Sequence, residues 1–305
     1  MNIYKHLSVQ KASPAIGAYL TGVDLNNIND PAIYEEIRKA VHEFGVVFLH
    51  KQPLEDKNFV ALGREFGSLE SSHPVFGVTD AFKEIQPIVY DPREPITTQE
   101  WHTDNTYNEF PSRYTFLRSV DIPPLGGDTL WASNAAIYDE LGEPLQKALE
   151  QLWARHDLFY RMRETAYLER AGKPEGAAAN FLKFRTDHPV VIQHPVTGRK
   201  QIFVNRHFTT CIHHMTDQVS FRLLHLLFDM VKLPEFQCRL IWEKDMVVIW
   251  DNWATQHYAT LDYGKYPRTM TRMVGESALR PSPVDGAKMY DSGVEWQSRG
   301  LLRKA

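Results

Sequence analysis

The feature that most constrains how this chain can fold is the segment Trp101-His102-Thr103-Asp104 taken with a distant His257. An imidazole and a carboxylate two positions apart point to one face if they lie on a strand, so both can reach a single metal ion. A third donor is then needed. His257 is the best placed, in Ile249-Trp250-Asp251-Asn252-Trp253-Ala254-Thr255-Gln256-His257, just after the apolar run Met246 to Trp250, which reads as a buried strand. Two histidines and one carboxylate on one face of iron leave three positions open, the arrangement of non-haem Fe(II) oxygenases. Any fold of this sequence must therefore carry positions 102–104 and 257 to one point. A lone His-x-Asp arises often by chance, and an isolated arginine is usually a solvated charge. The weight rests on the ordered set His102, Asp104, Thr129, His257 and Arg268.

The local patterns describe a β-rich chain with helices outside it. Pro31 stands near the first turn of a helix carrying Ile33, Ile37, Val41 and Phe44 on one stripe, with Gly45 placed to end it. A strand follows at Val46 to Leu49, and Phe59, Leu62, Gly63 and Phe66 predict a second amphipathic helix. Strands are expected at Tyr114–Val120, Thr129–Trp131, Val190–Gln193, Gln201–Val204, Arg239–Trp242, Met246–Trp250 and Arg268–Val274, and a long helix at Asp217–Val231. Two stretches poor in regular pattern, near 73–100 and 161–187, are expected to wall or cover a pocket. A single catalytic domain over 1–280 and a tail over 281–305 complete the expected organisation, without repeats or low-complexity segments.

At 305 residues the chain can bury a large core without staples. Its formal charge of -4 offers no basic footprint, so nucleic acid is not an expected partner. Cys211 and Cys238 are too few for a disulfide framework and read as buried free thiols in a reducing, cytoplasmic setting. The start, Met1 to Leu7, lacks the apolar region of a signal peptide, and no stretch reaches the roughly 18 apolar residues of a membrane span. Self-association into a homo-oligomer is the default expectation.

Beyond the metal set, Leu125-Gly126-Gly127-Asp128-Thr129-Leu130-Trp131, Ile192-Gln193-His194-Pro195-Val196-Thr197-Gly198, Phe203-Val204-Asn205, Phe208-Thr209-Thr210 and Ile249-Trp250-Asp251-Asn252 follow one another in order. In these segments the chain resembles the taurine dioxygenase family of Fe(II)/2-oxoglutarate-dependent oxygenases, over roughly residues 7 to 277. The resemblance implies a double-stranded β-helix, a jelly-roll variant within a β-rich α+β class. It also implies Fe(II) on His102, Asp104 and His257, with 2-oxoglutarate and O2 as cosubstrates. Arg268 and Thr129 are the residue types that grip the far carboxylate of 2-oxoglutarate, the guanidinium through a planar fork and the hydroxyl through a further bond. Oxidative decarboxylation to succinate and carbon dioxide would then drive C–H hydroxylation. Family relatives that halogenate carry a small residue where Asp104 stands, which disfavours that chemistry here. Asp251 and Asn252 are expected to support the site from behind rather than to bind metal.

The same resemblance places His73 and Arg272 on the positions that clamp an anionic head group. If Arg268 and Arg272 share a strand, their even spacing puts both on one face. Thr98 stands where the taurine enzymes use an asparagine, Phe76 replaces a tyrosine and Leu158 a phenylalanine, while Phe208 is kept; Asn105 is grouped with these as substrate-facing. Losing amine contacts while keeping the anion clamp favours a substrate with a less polar tail. The expected substrate is a small anion, an alkanesulfonate or alkyl sulfate first, with an aryloxy or other carboxylate as the alternative. In a different class stands a non-catalytic binding protein on the same fold, with His213-His214 as part of a zinc site.

Overall fold

The structure is a computed structural model, which describes residues 4–71, 78–90, 100–158 and 184–284. Its main wall is a seven-stranded sheet made of β1 (Ser8–Lys11), β2 (Ala18–Thr21), β3 (Val46–Leu49), β13 (Val247–Asp251), β5 (Tyr114–Asp121), β15 (Arg268–Val274) and β4 (Gln86–Tyr90), in that order. Neighbours pair antiparallel except β2 with β3. Three smaller sheets complete the β-structure. They are β12 (Gln237–Leu240) with β6 (Thr129–Ser133) and β14 (Thr255–Ala259), β11 (Thr209–Ile212) with β7 (Trp153–Asp157) and β8 (Arg185–Pro189), and β10 (Lys200–Ile202) with β9 (Val191–Gln193). Five α-helices accompany them among the described residues: α1 (Ala32–Phe44), α2 (Asp56–Arg64), α3 (Asn134–Glu140), α4 (Glu143–Leu149) and α5 (Asp217–Met230).

Period-two alternation assigns the two faces of the main sheet. Val247 and Ile249 of β13 pack with Phe116 and Met273 against Ile37 and Val41 of α1 and Phe59 and Leu62 of α2. The intervening Val248 and Trp250 point the other way and meet Trp131, Leu240 and Met270. Each fully buried aliphatic or aromatic side chain contributes roughly 1.5–3 kcal/mol, so the sheet is held from both sides. A second core, built on α3, α5, β9 and β10, unites Ile137, Leu224, Leu227, Val191 and Ile202. No helix among the described residues is long and apolar enough to cross a membrane.

Gly45 ends α1 as expected. Its φ of 75° is the left-handed conformation that glycine adopts without penalty, and its N–H closes on the Val41 carbonyl at 2.8 Å. The chain turns there directly into β3. Several elements have no counterpart in the sequence reading: β1, β2, β4, β7, β8, β11, β14, α3 and α4. β4 lies inside the stretch 73–100 and β8 overlaps the end of 161–187, so parts of both expected pocket segments are sheet. Pro87 makes β4 look unlike a strand, yet β4 sits at the sheet's edge, where a missing N–H is tolerated. The beginning of the expected tail packs back on β9: Gln193 N–H donates to the Ser282 carbonyl and Val284 joins the second core.

Candidate metal centre and active site

His102, Asp104 and His257 converge. Their ligand atoms all lie within 4.8 Å of one another. His102 Nε2 is 3.6 Å and His257 Nε2 4.0 Å from Asp104 Oδ1, and the two rings stand 4.1 Å apart. The mechanism of convergence differs from a shared strand. His102 makes a single antiparallel bridge to His257 on β14, with N–H···O distances of 3.1 and 2.8 Å, and Asp104 already belongs to the turn that follows. Side-chain bonds replace the missing ladder. Thr103 Oγ1 donates to the Thr255 carbonyl at 2.7 Å, Asn252 Oδ1 accepts the Asp104 N–H at 2.8 Å, and Asn252 Nδ2 donates to the Asp104 carbonyl at 2.9 Å.

The ligand orientations follow from these anchors. The Glu100 carbonyl lies 2.8 Å from His102 Nδ1, which leaves Nε2 to face Asp104. Thr115 Oγ1 donates to Asp104 Oδ2 at 3.2 Å. Burial, helped by the neighbouring His102 and opposed by Asp104, lowers the His257 pKa to about 3, so its ring is neutral, the form that binds metal. Behind the site, the fully buried Asp251 receives Arg113 at 3.1 Å and has His194 Nε2 at 2.9 Å. Burial works against the Asp251 charge, but these partners outweigh it and hold the carboxylate ionised.

β15 supplies the two arginines. Arg268, Met270 and Arg272 alternate onto its inward face, all buried, with Met270 in the core between them. Arg268 has no ion pair among the described residues; its Nε is buried without a hydrogen-bond partner, and burial lowers its pKa. Its guanidinium lies 6.0 Å from the ring centres of Trp242 and Tyr263. Trp242 also donates its indole N–H to Thr129 Oγ1 at 2.9 Å. Because that hydroxyl accepts from Trp242, its own proton is left to donate. Gly127, with φ of 74°, permits this closeness, since an added Cβ would stand 3.2 Å from Arg268 Nε and 3.1 Å from Tyr263. Arg272 places Nη1 3.4 Å from Asp104 Oδ1 and donates through Nε and Nη2 to Gln86 Oε1 at 3.1 and 2.9 Å.

Two histidines and a carboxylate converging on one point are a donor set that could hold iron, and the buried Arg268 and the Thr129 hydroxyl are groups that could bind an anion. Residues 8–274 match the model of the taurine catabolism dioxygenase TauD, TfdA family. The chain belongs to the taurine catabolism dioxygenase family. Its relatives include an alpha-ketoglutarate-dependent sulfate ester dioxygenase of Pseudomonas putida, 34% identical over 287 residues and covering 92% of each chain. An alkylsulfatase of Acinetobacter baylyi is 33% identical, covering 89% of this chain and 86% of its own. Among solved structures, a taurine dioxygenase from Burkholderia xenovorans superposes with a TM-score of 0.79 at 34% identity, covering 92% of this chain and 93% of that one. The taurine catabolism dioxygenases are built on the jelly-roll fold expected here and use Fe(II), 2-oxoglutarate and O2. The neutral His257, the clustered donors and the buried Arg268 fit that group of ligands.

The other expected residues divide. His73, Phe76 and Thr98 lie outside the described residues. Leu158 and Phe208 are brought together, packed with Tyr107 and Phe184 in one apolar cluster. Tyr107 meets Phe208 edge-on at 5.1 Å, and Phe208 stands 6.4 Å from His102. Asn105, at φ 57°, is buried with its amide committed within the wall: Nδ2 donates to Ser112 at 2.8 Å and Oδ1 accepts from Tyr107 at 3.0 Å. His213 is bound to Asp187 at 2.9 Å, and the triad is the group of metal-donor type found among the described residues. Sequence reading missed Tyr107, Trp242, Gln86 and His207, whose ring lies 5.5 Å from that of His102. Tyr107 was the most legible of these, because it follows the metal motif directly.

Proposed function

We propose that this protein hydroxylates the carbon next to the sulfur-linked head of a small alkyl sulfate or alkanesulfonate, giving an adduct that collapses to an aldehyde with sulfate or sulfite. The observation that carries the reading is the pair of buried arginines on the inward face of β15, one for each of two anions. His102, Asp104 and His257 would hold Fe(II), which when bound with 2-oxoglutarate would supply the oxygen activation needed to cleave a C–H bond. Arg268 and Thr129 grip the distal carboxylate of 2-oxoglutarate through a guanidinium fork and a hydroxyl donor. Arg272, beside Asp104, holds the substrate's anionic head and so turns the adjacent carbon toward the metal donors. Tyr107, Phe184, Leu158 and Phe208 form the apolar wall that takes the tail and excludes water. The names of the Pseudomonas and Acinetobacter relatives, a sulfate ester dioxygenase and an alkylsulfatase, support a sulfur-linked head. The net charge of -4 accords with a small-molecule substrate rather than nucleic acid, and we place the reaction in the cytoplasm.

The test is succinate formation by the purified protein with Fe(II) and 2-oxoglutarate on hexyl sulfate, hexanesulfonate, taurine and an aryloxy carboxylate, with released sulfate or sulfite measured alongside. Turnover of the alkyl sulfate or alkanesulfonate ahead of taurine is expected. Turnover of the carboxylate alone would reassign the head group, and silence with every anion would leave a binding protein.

A further inference from the structure

β4 carries a side chain that the functional reading above leaves without a role. Gln86 is the direct cross-strand partner of Arg272, so both project to the same inward face. It is fully buried. Its Oε1 receives both Nε and Nη2 of Arg272, and this fixes the orientation of the amide, because a guanidinium has only donors and must face the oxygen. The NH2 group is thereby turned away from Arg272, and Gln86 Nε2 is buried with no hydrogen-bond partner among the described residues. A buried amide nitrogen left in that state costs stability comparable to a lost hydrogen bond, which a merely structural glutamine would avoid by satisfying both ends.

We propose that Gln86 is a specificity-determining residue for the substrate's head group: its Nε2 donates to the third terminal oxygen of a sulfate or sulfonate whose other oxygens face Arg272. This rests on the assignment of Arg272 to the substrate anion. A planar carboxylate has two oxygens and is satisfied by a guanidinium fork alone, whereas a sulfate ester or sulfonate presents three. The extra donor therefore discriminates between the two classes of anion. Gln86 also holds the guanidinium plane, so its two ends perform different tasks, orientation through Oε1 and recognition through Nε2.

The experiment compares dissociation constants for hexyl sulfate and heptanoate, measured by calorimetry on the anaerobic protein loaded with Fe(II) and saturating 2-oxoglutarate. The parent is expected to prefer hexyl sulfate. Gln86→Met, which removes the amide at similar volume, should cut that preference roughly ten- to hundredfold, the effect of one hydrogen bond to a charged group. Gln86→Glu keeps the acceptor for Arg272, loses the donor and adds a negative charge that weakens both anions, so the ratio and not the affinity is read; the ratio should fall at least as far, and this variant carries the comparison if Gln86→Met does not fold. Arg272→Met should weaken both ligands together. An unchanged ratio in a folded Gln86 variant, with both anions weakened equally or neither weakened, would overturn the assignment of Gln86 while leaving that of Arg272 standing. Indifference of both ligands to Arg272→Met would instead overturn the anion clamp, and the role of Gln86 with it.

Discussion

Replacing Arg268 with methionine should cripple cosubstrate binding and yet leave the cosubstrate-free protein at least as stable. Arg268 is 7% exposed, has no ion pair among the described residues, and leaves Nε without a hydrogen bond. Exchanging buried ionic groups for apolar ones of similar volume often stabilises by about 1–4 kcal/mol. The opposing loss is the cation–π contact with Trp242 and Tyr263, both at 6.0 Å, together about 0.5–1 kcal/mol at that range. The net is a gain of about 0–3 kcal/mol for Arg268→Met in the absence of 2-oxoglutarate. With 2-oxoglutarate the balance moves toward the parent by about 1.8 kcal/mol. Loss of a buried charge partner costs about 2 kcal/mol or more, roughly a thirtyfold weaker dissociation constant. At 2-oxoglutarate one hundred times the parent's dissociation constant, the parent gains about 2.7 kcal/mol and the variant about 0.9 kcal/mol. The assay is urea unfolding of the anaerobic Fe(II) protein with and without 2-oxoglutarate, beside a direct titration of the cosubstrate. A variant that binds 2-oxoglutarate like the parent, or that loses more than about 2 kcal/mol without it, would show that the guanidinium serves the fold and not the ligand.

Three further outcomes are expected. His102→Ala, Asp104→Ala and His257→Ala should each abolish Fe(II)-dependent succinate formation in a folded protein; normal turnover in any of them removes that residue from the metal site. Asn252→Ala, which deletes the side-chain bonds to both backbone groups of Asp104, should weaken Fe(II) binding roughly ten- to hundredfold in an anaerobic metal titration, and parent-like affinity would show that the turn holds itself. Asp187→Asn should remove stability that depends on pH in a defined direction. Burial opposes the Asp187 charge, but His213 and Arg155 outweigh it and lower its pKa to about 2. Because the folded value lies below the unfolded one, the contribution of about 2 kcal/mol is present above pH 4 and is lost as pH falls through about 2. Unfolding free energies of parent and variant should therefore differ at pH 6 and converge toward pH 2; a difference that is constant with pH would refute the assignment.

What the sequence determined by itself is chemical identity and local periodicity. The donor types at His102, Asp104 and His257, the even spacing of Arg268 and Arg272, and the glycine that stops α1 are properties of the covalent chain; the structure brings the three donors together, from a bridge and a turn instead of the expected strand, sets both arginines on one face of β15 and ends α1 at Gly45. Helix α1 and strand β13 were legible because their apolar period or run persists over nearly the whole element. The short strands were not. β14, which carries His257, is Thr-Gln-His-Tyr-Ala, and β4, which carries Gln86, is Gln-Pro-Ile-Val-Tyr; neither offers an alternation long enough to declare itself. Their pairing depends on partners far along the chain, and register set at long range leaves no local signature. For the same reason the tertiary structure alone decided that Asp104 sits in a turn clamped by Asn252, that Trp242 joins Thr129 to the neighbourhood of Arg268, and that Gln86 faces Arg272. Composition can supply the donors of a site, but only the packing of the sheets fixes which of them meet.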